Sequence, residues 1–245
     1  MKAPARSRQG FTLIELLTVI AIIGVLAAVL FPGVQGVMRS AKKNSALNKL
    51  RSIGQGYMNW AQGGRVMSQT GTWTPGGNVA GKLSEYAANL AVGAALDSGE
   101  LWFVDGDAML ETTPITNMPK TVIRAQGATT VIDPLFLAAI QQGQSASWTV
   151  YTPTAPGLVG SVAVPLAWTR GLGDNGQWVQ SNGTRTGSVW GTEGGHIVYG
   201  DGHVSWVTDT MVSGQNYFTN RADGTPVANW RTSRSVPANA TPISQ

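Results

Sequence analysis

One carboxylate stands inside an apolar run long enough to cross a membrane, and no other feature of the sequence limits the fold so sharply. From Phe11 to Phe31 there are 21 residues whose only charge is Glu15. As a helix they reach about 31 Å at roughly 1.5 Å per residue, enough to cover a bilayer core. The run is therefore expected to form a spanning helix. An ionised Glu there costs up to about 3 kcal/mol near mid-bilayer and less at this shallow depth, so a positive partner is expected for it.

The residues before the run sharpen the reading. A short leader carrying Lys2, Arg6 and Arg8 ends at Gly10, and Phe11-Thr12-Leu13-Ile14-Glu15 opens the apolar stretch. This arrangement resembles the signal of type IV pilins and of the related pseudopilins of type II secretion. The resemblance implies that prepilin peptidase cuts between Gly10 and Phe11 and that the new terminus becomes N-methylphenylalanine. It also implies that the helix then packs against copies of itself in a filament. The family role of the acid maps onto Glu15, which would pair with the freed amine of Phe11 on a neighbouring subunit, where low dielectric strengthens the attraction and the pair sets register. Gly24 and Pro32 match positions where pilin helices carry loosening residues. Proline lacks a donor and clashes with the preceding turn, so the backbone before Pro32 is expected to kink or unwind, although both residue types are common in membrane helices.

Other N-terminal signals fit less well. A secretory signal has an apolar core of about 7 to 15 residues followed by its cleavage site, whereas here the core is longer and the Gly-Phe boundary precedes it. An uncut anchor remains an alternative, but an anchor has no use for a carboxylate. Arg39, Lys42, Lys43, Lys49 and Arg51 follow the span, so a count of positives does not decide orientation. The pilin resemblance does, with the N-terminus in the bacterial cytoplasm and the precursor in the inner membrane. Loss of the leader removes three positives from a formal net charge of +4, so the basic composition gives no reason to expect a specific nucleic acid. No acid lies between Glu15 and Glu85. That asymmetry fits either a solvated helix face or a basic inner helix set against acidic surfaces in a filament.

The expected organisation has four parts: a cleaved leader at 1–10, a transmembrane and filament-core helix at 11–31, an amphipathic continuation at 32–64, and an α+β domain at 65–245 with an irregular tail. In the continuation, Leu47, Leu50, Ile53, Tyr57 and Trp60 recur at three- and four-residue intervals, and Gly63-Gly64 is a stop signal. The stripe is expected to be core, the surface against which the C-terminal domain packs. The remainder suffices for one domain. Ser84 to Leu96 reads as a short helix, and Asp133-Pro134 caps another running to about Gln142. Strands are expected near Leu101 to Val104, Ser147 to Tyr151 and Ser161 to Thr169. The fold class is α+β, a long N-terminal helix packed on an antiparallel sheet domain, pilin-like.

Asp201-Gly202, between two β-rich runs within Gly194 to Val207, reads as a two-residue type I′ turn with Tyr199 opposite Val204 and Ile197 opposite Trp206. The segment resembles the Asp-Gly motif that closes a large group of bacterial pilin-like proteins named for a His before Asp-Gly; here Gly191 stands at the position of that His, so its role does not transfer. His196 and His203 are the only histidines. The expected register puts them on one face about 13 Å apart, too far to share an ion. Without cysteine there is no soft metal site and no thiol nucleophile, and no Gly-x-Ser-x-Gly elbow suggests a hydrolase. The reading is of a non-enzyme with no cofactor and no metal, with Asp105 and Asp107 beside Gly106 a weak calcium candidate that lacks EF-hand spacing.

A chain exposed to an oxidising exterior without a disulfide must be held otherwise. Packing of the nine tryptophans is one means, with Trp102, Trp148, Trp168, Trp178, Trp190 and Trp206 in or beside expected strands. Exposed together, they would instead make an adhesive, sugar-binding surface. From Ser213 onward, past Asp223-Gly224, Pro237 and Pro242, irregular structure and a loose end are expected. The functional expectation is a structural subunit of a type IV pilus-like or pseudopilus filament, periplasmic or extracellular after assembly. Its partners would be itself, other pilin-like subunits, prepilin peptidase, the inner-membrane assembly platform and, before assembly, the membrane. The alternatives are a minor pseudopilin of type II secretion and an adhesin carried on a pilin stem.

Overall fold

The computed structural model of the chain describes residues 11–141, 146–151, 164–173, 176–183 and 186–208. The leader with Gly10, the start of the strand expected from Ser161, and everything expected from Ser213 onward lie outside the described residues. Two compact units divide the chain, Met1–Lys43 and Asn44–Gln245.

The described part of the first unit is helix. Helix α1 covers Leu13–Trp60 and continues through Gly24 and Pro32 without a break. The expected unwinding before Pro32 does not occur. A proline removes one backbone donor, and the flanking turns of a long helix keep theirs. Every residue from 11 to 41 is exposed.

In the second unit α1 changes character. Leu50, Ile53, Tyr57 and Trp60 are buried, as the periodicity predicts, and Ala46 rather than Leu47 takes the first buried position. The helix ends at Trp60, and turns occupy residues 61–64, as the glycine pair predicts. Helix α2, Leu83–Ala94, buries almost all of its first three turns. Glu85 starts it by accepting from the backbone N–H groups of Gly81 and Lys82, the carboxylate half of a capping box. The expected strand at Leu101 to Val104 is instead a 3₁₀ turn, Gly99–Trp102, followed by irregular chain. Helix α3, Ala108–Thr112, and the hairpin β1 (Ile123–Gln126) and β2 (Thr129–Ile132) follow. Helix α4, Pro134–Gln141, begins where predicted, with Asp133 Oδ1 accepting from the N–H of Leu135 at 2.8 Å.

The main sheet is antiparallel, in the order β3 (Trp148–Val150), β4 (Pro165–Thr169), β5 (Gly195–Tyr199), β6 (Val204–Val207). Both faces of its central strands are buried. One face presents Val150, Ala167 and Val198 to the larger core, which contains Leu50, Ile53, Tyr57 and Trp60 of α1. The other presents Trp168, Ile197 and Tyr199 to a smaller cluster closed by Trp178. Helix and sheet approach so closely that a Cβ on Gly54 would lie 2.5 Å from Val198 Cγ2. Through the larger core runs a ladder of rings, Trp60, Tyr57, Tyr86, Trp102 and Phe136, with successive centroids 6.0 to 6.4 Å apart. Fully buried side chains of this size contribute roughly 1.5–3 kcal/mol each, which answers how a chain without cysteine is held. The result is a long apolar N-terminal helix followed by antiparallel sheets and short helices, an α+β pilin-like arrangement.

Candidate functional site

The apolar run begins with a local device. Thr12 stands just before the first turn of α1, and Glu15 is the third residue into it. The Glu15 carboxylate accepts from the Thr12 N–H at 2.9 Å and from the Thr12 hydroxyl at 2.7 Å, while the Glu15 N–H donates to the Thr12 hydroxyl at 3.3 Å. This is a reciprocal capping box, which satisfies donors the helix start leaves open. The negative charge also sits at the positive end of the helix dipole. Glu15 therefore has an intrachain partner, which reading the acid only as a charge in need of a cation missed; the signal was Thr-x-x-Glu at a helix start.

Beyond the box, α1 is a clean apolar surface. Thr18 returns its hydroxyl to the Glu15 carbonyl, so it offers little polarity outward. Phe11 is 80% exposed and Phe31 68%, and the helix is long and apolar enough to cross a membrane. Nothing lies within 4 Å of where a Cβ on Gly24, Gly33 or Gly36 would be. A continuous apolar surface of this extent marks contact with lipid or protein. Of the residues expected to act at this end, Phe11, Glu15, Gly24 and Pro32 lie along it, and Gly10 falls outside the described residues.

The hairpin at Asp201-Gly202 exists, with its register moved by one residue. Val198 pairs with Val204, Ile197 with Ser205 and His196 with Trp206. The connection has three residues: the Gly202 N–H donates to the Tyr199 carbonyl at 2.8 Å and the Tyr199 N–H to the His203 carbonyl at 3.0 Å. Only Gly202 has positive φ, +87°, where a type I′ turn needs two such residues. This is a type I turn closed by a glycine bulge. The shift separates the histidines onto opposite faces: buried His196 packs edge-on against Trp206, and His203 stacks on Tyr199. Burial tends to raise the Asp201 carboxyl, but hydrogen bonds from the N–H and ring of His203 outweigh it and hold the group below the usual carboxylate range. The tip is a structural turn.

The calcium candidate pairs Asp105 with Asp107. Asp107 is fully buried and already engaged: its Oδ1 accepts from Arg170 Nη2 at 2.7 Å and from the Met109 N–H at 3.1 Å, and its Oδ2 from the Ser147 hydroxyl at 2.8 Å. Arg170, 3% exposed, also donates to the carbonyls of Ala146 and Gly187. Asp105 is exposed and lies 3.8 Å from Lys49. The two carboxylates thus serve different partners. Among the described residues no three His, Cys, Asp or Glu side chains gather as a metal site. Nor do the tryptophans among the described residues form a shared surface. Trp60, Trp102, Trp148, Trp168, Trp178 and Trp190 are buried, Trp73 and Trp206 are half-buried, and Trp230 lies outside the described residues.

Residues 5–31 match the family model of the prokaryotic N-terminal methylation motif. The match supports a type IV pilin-like or pseudopilin-type subunit, a structural and non-enzymatic kind of protein processed by prepilin peptidase and assembled into filaments. It is consistent with a membrane-anchored precursor that becomes part of a surface filament. No curated protein and no solved structure matches the chain significantly.

Proposed function

We propose that this chain is the structural subunit of a type IV pilus-like or pseudopilus filament, cut between Gly10 and Phe11 and methylated on Phe11. The observation that carries the reading is the unbroken, wholly exposed apolar stretch of α1 beginning at the methylation motif. Before assembly, lipid covers this surface. After assembly, equivalent helices of neighbouring copies cover it, and close packing replaces lipid contacts with side-chain contacts. Glu15 holds its charge on Thr12 in the isolated chain and exchanges that contact for the Phe11 amine of a neighbour, which fixes axial register where like residues would otherwise slide.

Mass spectrometry of sheared surface material tests the proposal. The expected chain begins at N-methylated Phe11 and is abundant in fibres. A processed chain that is scarce in fibres moves the assignment to a minor pseudopilin, and a chain retaining Met1 or Lys2 overturns it in favour of an uncut anchor. Glu15→Ala is expected to insert and be processed while filament yield falls at least about tenfold, the effect of losing a coupling near 1.4 kcal/mol per subunit. Unchanged yield would remove Glu15 from assembly.

A further inference from the structure

Within the second unit α1 has an outer face as regular as its buried one. Turned away from the line of Ala46, Leu50, Ile53, Tyr57 and Trp60, the residues Asn44, Asn48, Arg51, Gln55 and Asn59 are all exposed. At 3.6 residues per turn they fall within about 80° of arc and extend about 22 Å along the axis. A helix face bathed in water gains from Glu–Lys pairs at these intervals, and asparagine is a weak helix former. Yet four of the five residues are carboxamides, and the sequence holds no acid from residue 16 to residue 84. Among the described residues, none of the five side chains meets a hydrogen-bonding or ionic partner. A carboxamide both donates and accepts, so a surface built of them is complementary to an identical surface. A charged face is not, because like charges brought together repel. Arg51, the one cation in the stripe, has donors only and finds acceptors in the carboxamide oxygens of a second copy.

From this pattern we infer that the stripe from Asn44 to Asn59 is a contact between copies of this chain, lying against α1 of a neighbouring subunit and hydrogen-bonding to it through carboxamides. The inference rests on the proposed filament and names a second surface for it. Helix α1 runs unbroken from the apolar stretch into the stripe, so the two surfaces belong to one element and a neighbour laid along the first has the second within the same helix. Apolar side chains alone set axial position weakly. Polar side chains between helices select register at some cost in stability, because a shifted neighbour leaves donors and acceptors unpaired. The stripe therefore acts on which turn of one helix meets which turn of the next, and the apolar stretch on whether they meet at all.

Cells expressing the full chain supply the test. With photoreactive benzoyl-phenylalanine in place of Gln55, irradiation of sheared fibres is expected to give a dimer whose cross-linked peptide maps to α1 of a second copy. No cross-link, or a cross-link only to a different protein, overturns the inference. Charge gives an independent measure. Asn48→Lys combined with Gln55→Lys places like charges on the face; both sites are exposed, so the urea midpoint should stay at the wild-type value, while fibre yield falls at least about tenfold, or 1.4 kcal/mol per contact. Asn48→Glu combined with Gln55→Glu should fail in the same way alone, and co-expression of the two double variants should restore fibres that contain both chains. Wild-type yield from the lysine variant overturns the inference, as does a mixture that recovers nothing. Wild-type cells that make no fibre overturn the filament reading and this inference with it, a result distinct from normal fibres made by the lysine variant.

Discussion

Removing one member of the Asp107–Arg170 pair should cost about as much as removing both. Asp107→Ala takes the carboxylate away from a guanidinium that is 3% exposed and that also donates to the carbonyls of Ala146 and Gly187. It also leaves the Ser147 hydroxyl and the Met109 N–H without their acceptor. An uncompensated buried charge costs about 3–5 kcal/mol, and loss of the cap on α3 adds about 1 kcal/mol, so Asp107→Ala is expected to destabilise the second unit by about 4–6 kcal/mol. Asp107→Asn keeps the shape and loses the charge, for about 3 kcal/mol. Arg170→Met leaves a carboxylate buried with two donors, again for about 3 kcal/mol. The double variant Asp107→Asn, Arg170→Met removes both charges together and should cost about 3–4 kcal/mol, giving a coupling of about 2–3 kcal/mol. Urea unfolding of the purified chain in mild detergent, followed by near-ultraviolet circular dichroism of the buried tryptophans, measures all of these values. Additive single costs, or an Asp107→Ala cost below about 1 kcal/mol, would refute the view that this ion pair pins α3 to the end of β4.

Two further outcomes are open to the same assay. Gly54→Ala places a Cβ 2.5 Å from Val198 Cγ2 and should cost about 1–3 kcal/mol; adding Val198→Ala should recover part of that, and no recovery would show that the clash lies elsewhere. Burial raises the hydroxyls of Tyr57, Tyr86 and Tyr151 above the ordinary tyrosine value, Tyr57 also feeling Tyr151 and Tyr86 feeling Tyr57. Their contribution to stability is thus complete below about pH 10 and is lost as pH rises toward their folded values. Tyrosinate absorbance from these rings should appear together with unfolding; its appearance near pH 10 in a still-folded chain would contradict their burial.

Elements that announce themselves locally were legible in the sequence, and those that depend on a distant partner were not. Asp133-Pro134 carries its own start signal, and α2 carries its own period; both helices lie where the sequence puts them. Leu101 to Val104 is an apolar run of four with no period to separate strand from turn, and its first two residues close a 3₁₀ turn instead. The hairpin β1–β2 has almost no buried face, so no alternation marks it, although Gly127, with φ +63°, occupies the first central place of a two-residue turn, as a type II′ hairpin requires. Both faces of β5 are buried, so hydrophobicity could not choose between registers that differ by one residue. Loop length decided it: His203 joined the pairing, leaving three residues in the turn. Asp107 and Arg170 stand 63 residues apart, and neither carries a local mark of the other.

The N-terminal site divides along the same line. Four residues contain everything needed to read the Thr12–Glu15 box, because both partners sit in one helical turn. The box also lowers the cost of carrying an ionised acid in the membrane, since two donors already meet the carboxylate. Glu15 alone is therefore not sufficient proof of an intermolecular partner. What the box leaves unexplained is the surface beyond it. A helix needs no apolar face to be capped, yet Leu16 to Val34 of α1 stand exposed with Thr18 as their one polar side chain. Water cannot be the neighbour of such a surface at equilibrium. Under the proposed function, lipid would cover it in one state and copies of the chain in another, and Glu15 would exchange its Thr12 contact for a neighbour's amine in passing from the first to the second.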